Sequence, residues 1–282
     1  MVTISNHLLT VEIDPVGAEM KRILAQGKDR LWSGDPAYWS GRAPVLFPIC
    51  GGLPNDQFTF EGKAYTLMKH GFARKMMFTV VAQTDICAVF SLKSNEETRR
   101  SYPWDFELLI TYSLRGTCID IQYEVRNDSG TTMYMSIGSH EAYACPEGIE
   151  EYDLIFEKKE TLSSCDLDGN LIAPTVTPIL KETDTLPLYE KFFAIDALIF
   201  KDVRSRAVTL RNRKTGEKAT VEFPGCHYLL IWQKKGAPYI CIEPWTGIPP
   251  MVGSDPDITK KEGITAVAPH DTFRISHSIY FG

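Results

Sequence analysis

Cys118-Ile119-Asp120-Ile121-Gln122-Tyr123-Glu124-Val125-Arg126 decides the fold class of this 282-residue chain. Ile119, Ile121, Tyr123 and Val125 alternate with Asp120, Gln122, Glu124 and Arg126, so one face is apolar and the other polar. Side chains of an extended strand point to its two faces in turn, and this period of two predicts a strand that covers a core on one side. The preceding run, Phe106 to Leu114, joins it through Arg115-Gly116-Thr117, a hairpin signal. Asn127-Asp128-Ser129-Gly130 then turns the chain into a further strand, Thr131 to Ile137. The pattern returns at 207–212 and 218–223 around Lys214-Thr215-Gly216-Glu217, at 228–232 and 239–242, and from about Thr272 to Phe281. Helical signals are few. Asn95 to Tyr102 reads as one or two turns stopped by Pro103, and the Trp32–Trp39 region as loop or a short helix. Without repeats, low-complexity tracts or a linker, the prediction is all-β: a large antiparallel sandwich forming one domain over residues 1–282.

Composition narrows the functional classes. With 30 basic and 36 acidic side chains the net charge is −6, which disfavours nucleic acid and an anionic membrane surface as partners. Seven scattered cysteines include no Cys-x-x-Cys, so zinc-ribbon and thioredoxin-type patterns are absent and reduced thiols are expected. Met1 to His7 carries no secretory signal and no apolar stretch approaches a membrane span; the expected location is the cytoplasm.

Three polar clusters stand out: His70-Gly71-Phe72-Ala73-Arg74, Gly138-Ser139-His140-Glu141-Ala142-Tyr143, and Cys241-Ile242-Glu243-Pro244-Trp245. Each sets a proton-transfer residue beside an aromatic ring, which suits a ligand with hydroxyls and flat C–H faces, such as a sugar. Alone, His70 is most simply a loop or capping histidine. His140-Glu141 begins a zinc-protease pattern that Ala144 breaks. Glu243 closes an otherwise apolar strand, where a carboxylate is rarely buried without a partner. Parity links two of the clusters: Tyr134, Ser136, Gly138 and His140 alternate with aliphatic residues, as do Tyr239, Cys241 and Glu243. Regular strands therefore put His140 and Glu243 on the face opposite the aliphatic one. Arg42 and Arg74 are ordinary solvated arginines by default; near one groove they could hold hydroxyls or a phosphate. His277 shares parity with Phe273, Ile275, Ile279 and Phe281, and reads as a satisfied core histidine.

In their order, these clusters make the chain resemble the aldose 1-epimerase (galactose mutarotase-like) family, especially its bacterial LacX-like branch. The resemblance spans Gly17-Ala18-Glu19, Leu31-Trp32, Trp39 and Arg42-Ala43-Pro44-Val45-Leu46-Phe47-Pro48, the three clusters, Asp196-Ala197-Leu198-Ile199-Phe200 and Lys261-Glu262-Gly263. Relatives usually have Pro after the second histidine, where this chain has Glu141. The resemblance implies a β-sandwich with an open groove and cofactor-free, metal-free interconversion of sugar anomers. Glu243 would be the base and His140 the acid; His70 and Asp196 would bind the sugar, with Arg42 and Arg74 lining the site. For a stacking ring, Trp245 ranks first, then Phe47 and Tyr143.

The expected partner is a small-molecule sugar, with monomer or homodimer left open. Rival readings are a hexose-6-phosphate 1-epimerase, a non-catalytic sugar-binding protein and, less simply, a glycosidase using Asp196 and Glu243. A neutral aldose is preferred over a sugar phosphate, because only Arg42 and Arg74 stand near the motifs and phosphate sites draw on several cations. At pH 7, Glu243 is expected to be ionised and His140 partly protonated.

Overall fold

The computed structural model describes residues 1–194 and 196–282, and its architecture is strand after strand. The largest sheet has nine strands in the order Leu171–Pro187, Tyr152–Asp168, Ala207–Asn212, Lys218–Glu222, Thr272–Phe281, Cys118–Asn127, Phe106–Arg115, Cys87–Lys93, Thr79–Gln83. The strand from Cys118 lies near its middle, paired with Thr272–Phe281 on one side and Phe106–Arg115 on the other. Its apolar face is buried, as the alternation requires. A four-stranded sheet (Glu141–Ala144, Tyr239–Trp245, Tyr228–Trp232, Leu198–Phe200) supplies Ile240 and Ile242 to the same core as Ile121 and Val125. A second four-stranded sheet near the N-terminus adds Val11 and Ile13. Each fully buried aliphatic side chain contributes about 1.5–3 kcal/mol, which is why the two-residue period dictates the layers.

Local signals hold where chemistry is unambiguous. Gly116 turns its hairpin at φ +61°, in the left-handed region that suits glycine. Asn95 caps the helix Glu96–Ser101 by accepting the Thr98 N–H, and the helix ends before Pro103. The expected strand from Thr131 to Ile137 shrinks to Met133–Met135, paired with Thr265–Val267. Ile137 to Ser139 instead bind Leu46, Pro244 and Thr246 through backbone and hydroxyl groups. Two 17-residue strands, Tyr152–Asp168 and Leu171–Pro187, were not foreseen. Pro174 and Pro178 argue against a central strand, but Leu171–Pro187 is the edge of its sheet, where missing N–H donors are tolerated. Among the described residues no helix is long and apolar enough to cross a membrane.

Behind the Glu141–Ala144 strand, His277 Nε2 meets Glu141 Oε1 at 3.1 Å, both side chains being buried, and its ring stacks on Tyr123. This pair ties the four-stranded sheet to the nine-stranded one and accounts for the core histidine. His277→Leu leaves the Glu141 carboxylate buried without its partner. Chemical denaturation should show a loss of about 3 kcal/mol or more, and a loss below about 1 kcal/mol would contradict this role.

Candidate active site

Strand register sets up the site. The Glu141–Ala144 strand pairs with Tyr239–Trp245 so that Glu141 faces Ile242, and continuing that register sets His140 against Glu243. The groove side carries Tyr239, Cys241 and Ala142, packed with Trp32 and flanked by Trp39 and Trp232. Ile240, Ile242 and Tyr143 face the main core. His140 Nε2 lies 3.4 Å from Glu243 Oε2, with both side chains nearly buried. Neither Glu243 Oε2 nor His140 Nδ1 finds a hydrogen-bond partner in the protein.

His70 reaches the same cavity from a strained loop. It has φ +68° and is followed by Gly71 at φ +65°, where a side chain would bring a Cβ within 2.2 Å of the Phe47 carbonyl oxygen. A non-glycine residue in this region costs on the order of 1 kcal/mol and tends to mark a functional position. Two reciprocal bonds hold it: His70 N–H donates to the Gly51 carbonyl (2.8 Å), and Gly51 N–H donates to His70 Nδ1 (3.1 Å). Because Nδ1 accepts, the ring hydrogen resides on Nε2, and neutral His70 is a hydrogen-bond donor. Its ring meets those of His140 at 5.8 Å and Trp245 at 5.5 Å, both edge-on. Trp245 fits because Gly138 has no side chain; a Cβ there would lie 2.4 Å from Trp245 Cδ1. The indole N–H of Trp245 donates to the Ser139 carbonyl.

These groups line a cavity of about 580 Å³, together with Arg74 and Asp196. Three of the residues expected at the site lie elsewhere. The Phe47 ring is buried against Phe72, Tyr102 and Phe106, and only its carbonyl serves the site, by accepting from Phe72 and Ala73 N–H. Tyr143 has the parity opposite to His140 and points into the core. Arg42 turns its guanidinium to the Lys21 carbonyl and does not line the cavity. Trp245 is nearly buried, so the half-exposed Trp39 and Trp232 are the better stacking surfaces. Trp39 lies over the His140 ring at 4.9 Å and 33°, and Trp232 meets it edge-on at 5.5 Å. Parity could have found Trp232, which pairs with Cys241 and so shares the face of Glu243. Trp39 sits in a loop that carries no such signal.

Electrostatics also differ from expectation. Burial raises the Glu243 carboxyl well above the usual carboxylate range, with Lys69 opposing and Glu141 and Asp196 adding to the rise. Burial lowers His140 to about 3, helped by Lys69 and Arg74, and lowers His70 strongly as well. Burial thus disfavours the charged form of both groups, drawing the site away from an ionised carboxylate beside a half-charged imidazole and towards a carboxyl beside a neutral one. Four cationic residues also line the cavity, Lys69, Arg74, Lys234 and Lys235, which removes the premise on which a neutral sugar was preferred. One potential metal-ligand atom each from His140, Cys241 and Glu243 falls within 4.8 Å. Burial pushes the Cys241 thiol well above its ordinary value.

Comparison with known proteins assigns this all-β scaffold, with its groove of titratable and aromatic side chains, to a class of mutarotase-like isomerases. Residues 1–265 match the aldose 1-epimerase family model, and the chain belongs to that family. It is 35% identical to the plasmid form of protein LacX from Lactococcus lactis subsp. lactis, over 99% of this chain and 98% of that one. A galactose mutarotase related enzyme from Lactobacillus acidophilus superposes with a TM-score of 0.94 at 31% identity, covering 100% of this chain and 97% of that chain. A galactose mutarotase-like protein from Lactobacillus casei ATCC 334 gives 0.95 at 27% identity, with both chains covered in full.

The tautomer of His70 is directly measurable. Nitrogen-15 NMR should show the hydrogen on Nε2 and a ring still neutral at the pH where a free imidazole is half protonated, because burial lowers its proton affinity. A protonated ring near pH 6 would overturn the assignment.

Proposed function

We propose that this protein is an aldose 1-epimerase that interconverts the α- and β-anomers of a hexose in the His70–His140–Glu243 groove. The observation that carries this reading is the His140–Glu243 contact at 3.4 Å inside a cavity that also holds His70. Mutarotation removes the proton from the C1 hydroxyl and delivers one to the ring oxygen. The C1–O5 bond breaks, the C1–C2 bond rotates, and reclosure on the other face reverses both transfers.

Glu243 takes the C1 hydroxyl proton and His140 protonates the ring oxygen. The resting pair, carboxyl and neutral imidazole, has the same proton count as the reactive pair, carboxylate and imidazolium. Transfer across the 3.4 Å contact converts one to the other without exchange with solvent. Lys69 draws Glu243 towards its ionised form while disfavouring the imidazolium of His140. His70 Nε2–H and Asp196 position sugar hydroxyls, and Trp39 or Trp232 carries a C–H face of the ring. Arg74 remains beside them, its Nη2 donating to the Lys69 carbonyl at 2.9 Å while Nε has no partner.

A sugar-binding protein without catalysis is the weaker alternative. Two buried groups of shifted proton affinity in contact are costly to hold, and binding alone gives them no task.

Glu243→Gln keeps size and hydrogen bonding but cannot accept the proton, so kcat should fall about 10²-fold or more while the sugar still binds. His140→Asn should cost about as much. NMR saturation transfer between anomers measures both, and near-wild-type exchange in Glu243→Gln would rule out its role. The pH dependence follows from the sign of the shifts. A second proton enters the pair only in acid, because His140 is lowered to about 3, and the single proton leaves only above the usual carboxylate range, because Glu243 is raised. The acid limb of the kcat/KM profile should thus lie well below the ordinary histidine value and the basic limb above the usual carboxylate range, both reporting macroscopic values of the pair. An acid limb with an apparent pKa near that of free histidine would contradict this account.

A further inference from the structure

Lys69, Arg74, Lys234 and Lys235 line the cavity, against two carboxylic residues, Asp196 and Glu243. The chain as a whole is acidic, at −6, so the groove reverses the sign of the molecule that contains it. Among the described residues, none of the four cations is paired with a carboxylate, whereas Lys28, Arg30, Arg211 and Arg213 all are. The four come from two separate places. Lys69 and Arg74 flank His70, half-buried at the inner end, close enough to act on the Glu243 and His140 charges. Lys234 and Lys235 stand exposed in the turn between Tyr228–Trp232 and Tyr239–Trp245, the two strands that supply Trp232 and Glu243. Low-dielectric walls focus the field of like charges into a cleft, and a phosphate monoester offers a dianion with three acceptor oxygens to such a field.

From this juxtaposition we infer that the groove is built for an aldose carrying a phosphate monoester away from C1, with Lys69, Lys234 and Lys235 as the residues that select it. The inference rests on the epimerase reading and names its substrate class. With the phosphate held by the lysines and the ring against Trp39 or Trp232, C1 is left to His140 and Glu243. A cavity of about 580 Å³ has room for the additional group.

Anomer exchange of glucose, galactose, their 6-phosphates and glucuronate by the full chain tests this. The kcat/KM for a hexose 6-phosphate should exceed that for the parent hexose about tenfold or more, and the excess should shrink as salt is raised. In Lys234→Ala/Lys235→Ala, and separately in Lys69→Met, the ratio of phosphorylated to parent kcat/KM should fall at least about threefold. These side chains are exposed or half-buried, so the fold survives their loss, and the salt dependence needs no variant at all. Equal or faster turnover of the parent hexoses would overturn the inference while leaving the epimerase reading intact. An equal advantage for glucuronate would overturn the phosphate assignment in favour of any anion. Absence of exchange on every sugar would instead refute the epimerase reading itself.

Discussion

The pairing of Glu141–Ala144 with Tyr239–Trp245 is the constraint on which the site depends. One residue of slip would turn Glu243 into the core and Ile242 into the groove, since successive side chains on a strand alternate between faces. Register is held from both sides. Ile240 and Ile242 are fully buried in the main core, and Cys241 and Tyr239 are buried against Trp32 on the other face. The strand is thus fixed by apolar packing on two faces, and the carboxylate is carried to its position by burial of its neighbours. Beyond the strand end, Trp245 against Gly138 and the Thr246 hydroxyl between Ile137 N–H and C=O close the corner that holds Ser139 and His140.

The same packing that fixes the geometry sets the proton. A carboxylate and an imidazolium both lose hydration in this site, so each is driven towards its neutral form. Their direct contact then lets charge separate only when something compensates both ends. Lys69 does so at the carboxylate. Glu141 works in the opposite sense: on the other face of its strand it raises Glu243, while its own partner is His277 across the core. In this chain the residue after His140 is therefore part of the electrostatic environment of the groove and of the sheet-to-sheet contact.

Much of the fold was legible because period two and turn chemistry are local. The alternation in 118–126, the Arg115-Gly116-Thr117 hairpin and the Asn95 cap each specify their element without help from the rest of the chain. The 17-residue edge hairpin was not legible, because its prolines deny a central strand and only position in the sheet explains them. At the site, parity gave the His140–Glu243 pairing, and the same rule applied to Tyr143 would have sent it to the core. Phe47 and Arg42 lie within the motif that packs the His70 loop, so their sequence neighbourhood was informative while their side chains point away. Proton affinities were misjudged because burial is a property of the assembled layers, invisible in a stretch where Glu243 is one polar residue among apolar ones.

Charge was the least legible quantity. The sum over the chain is negative, and Lys69, Lys234 and Lys235 look like ordinary surface residues when read in order. Only the fold shows that a hairpin turn and the His70 loop open on one cleft. Cations there have a consequence for the pair whatever the ligand: Lys69 and Arg74 both disfavour a charged His140, and Lys69 favours a charged Glu243. An anion bound between them would weaken both effects at once, making the imidazolium easier to form and the carboxylate harder. The proton balance of the site is in this way coupled to the charge of what it binds, and a charged His140 becomes more accessible when the ligand itself is negative.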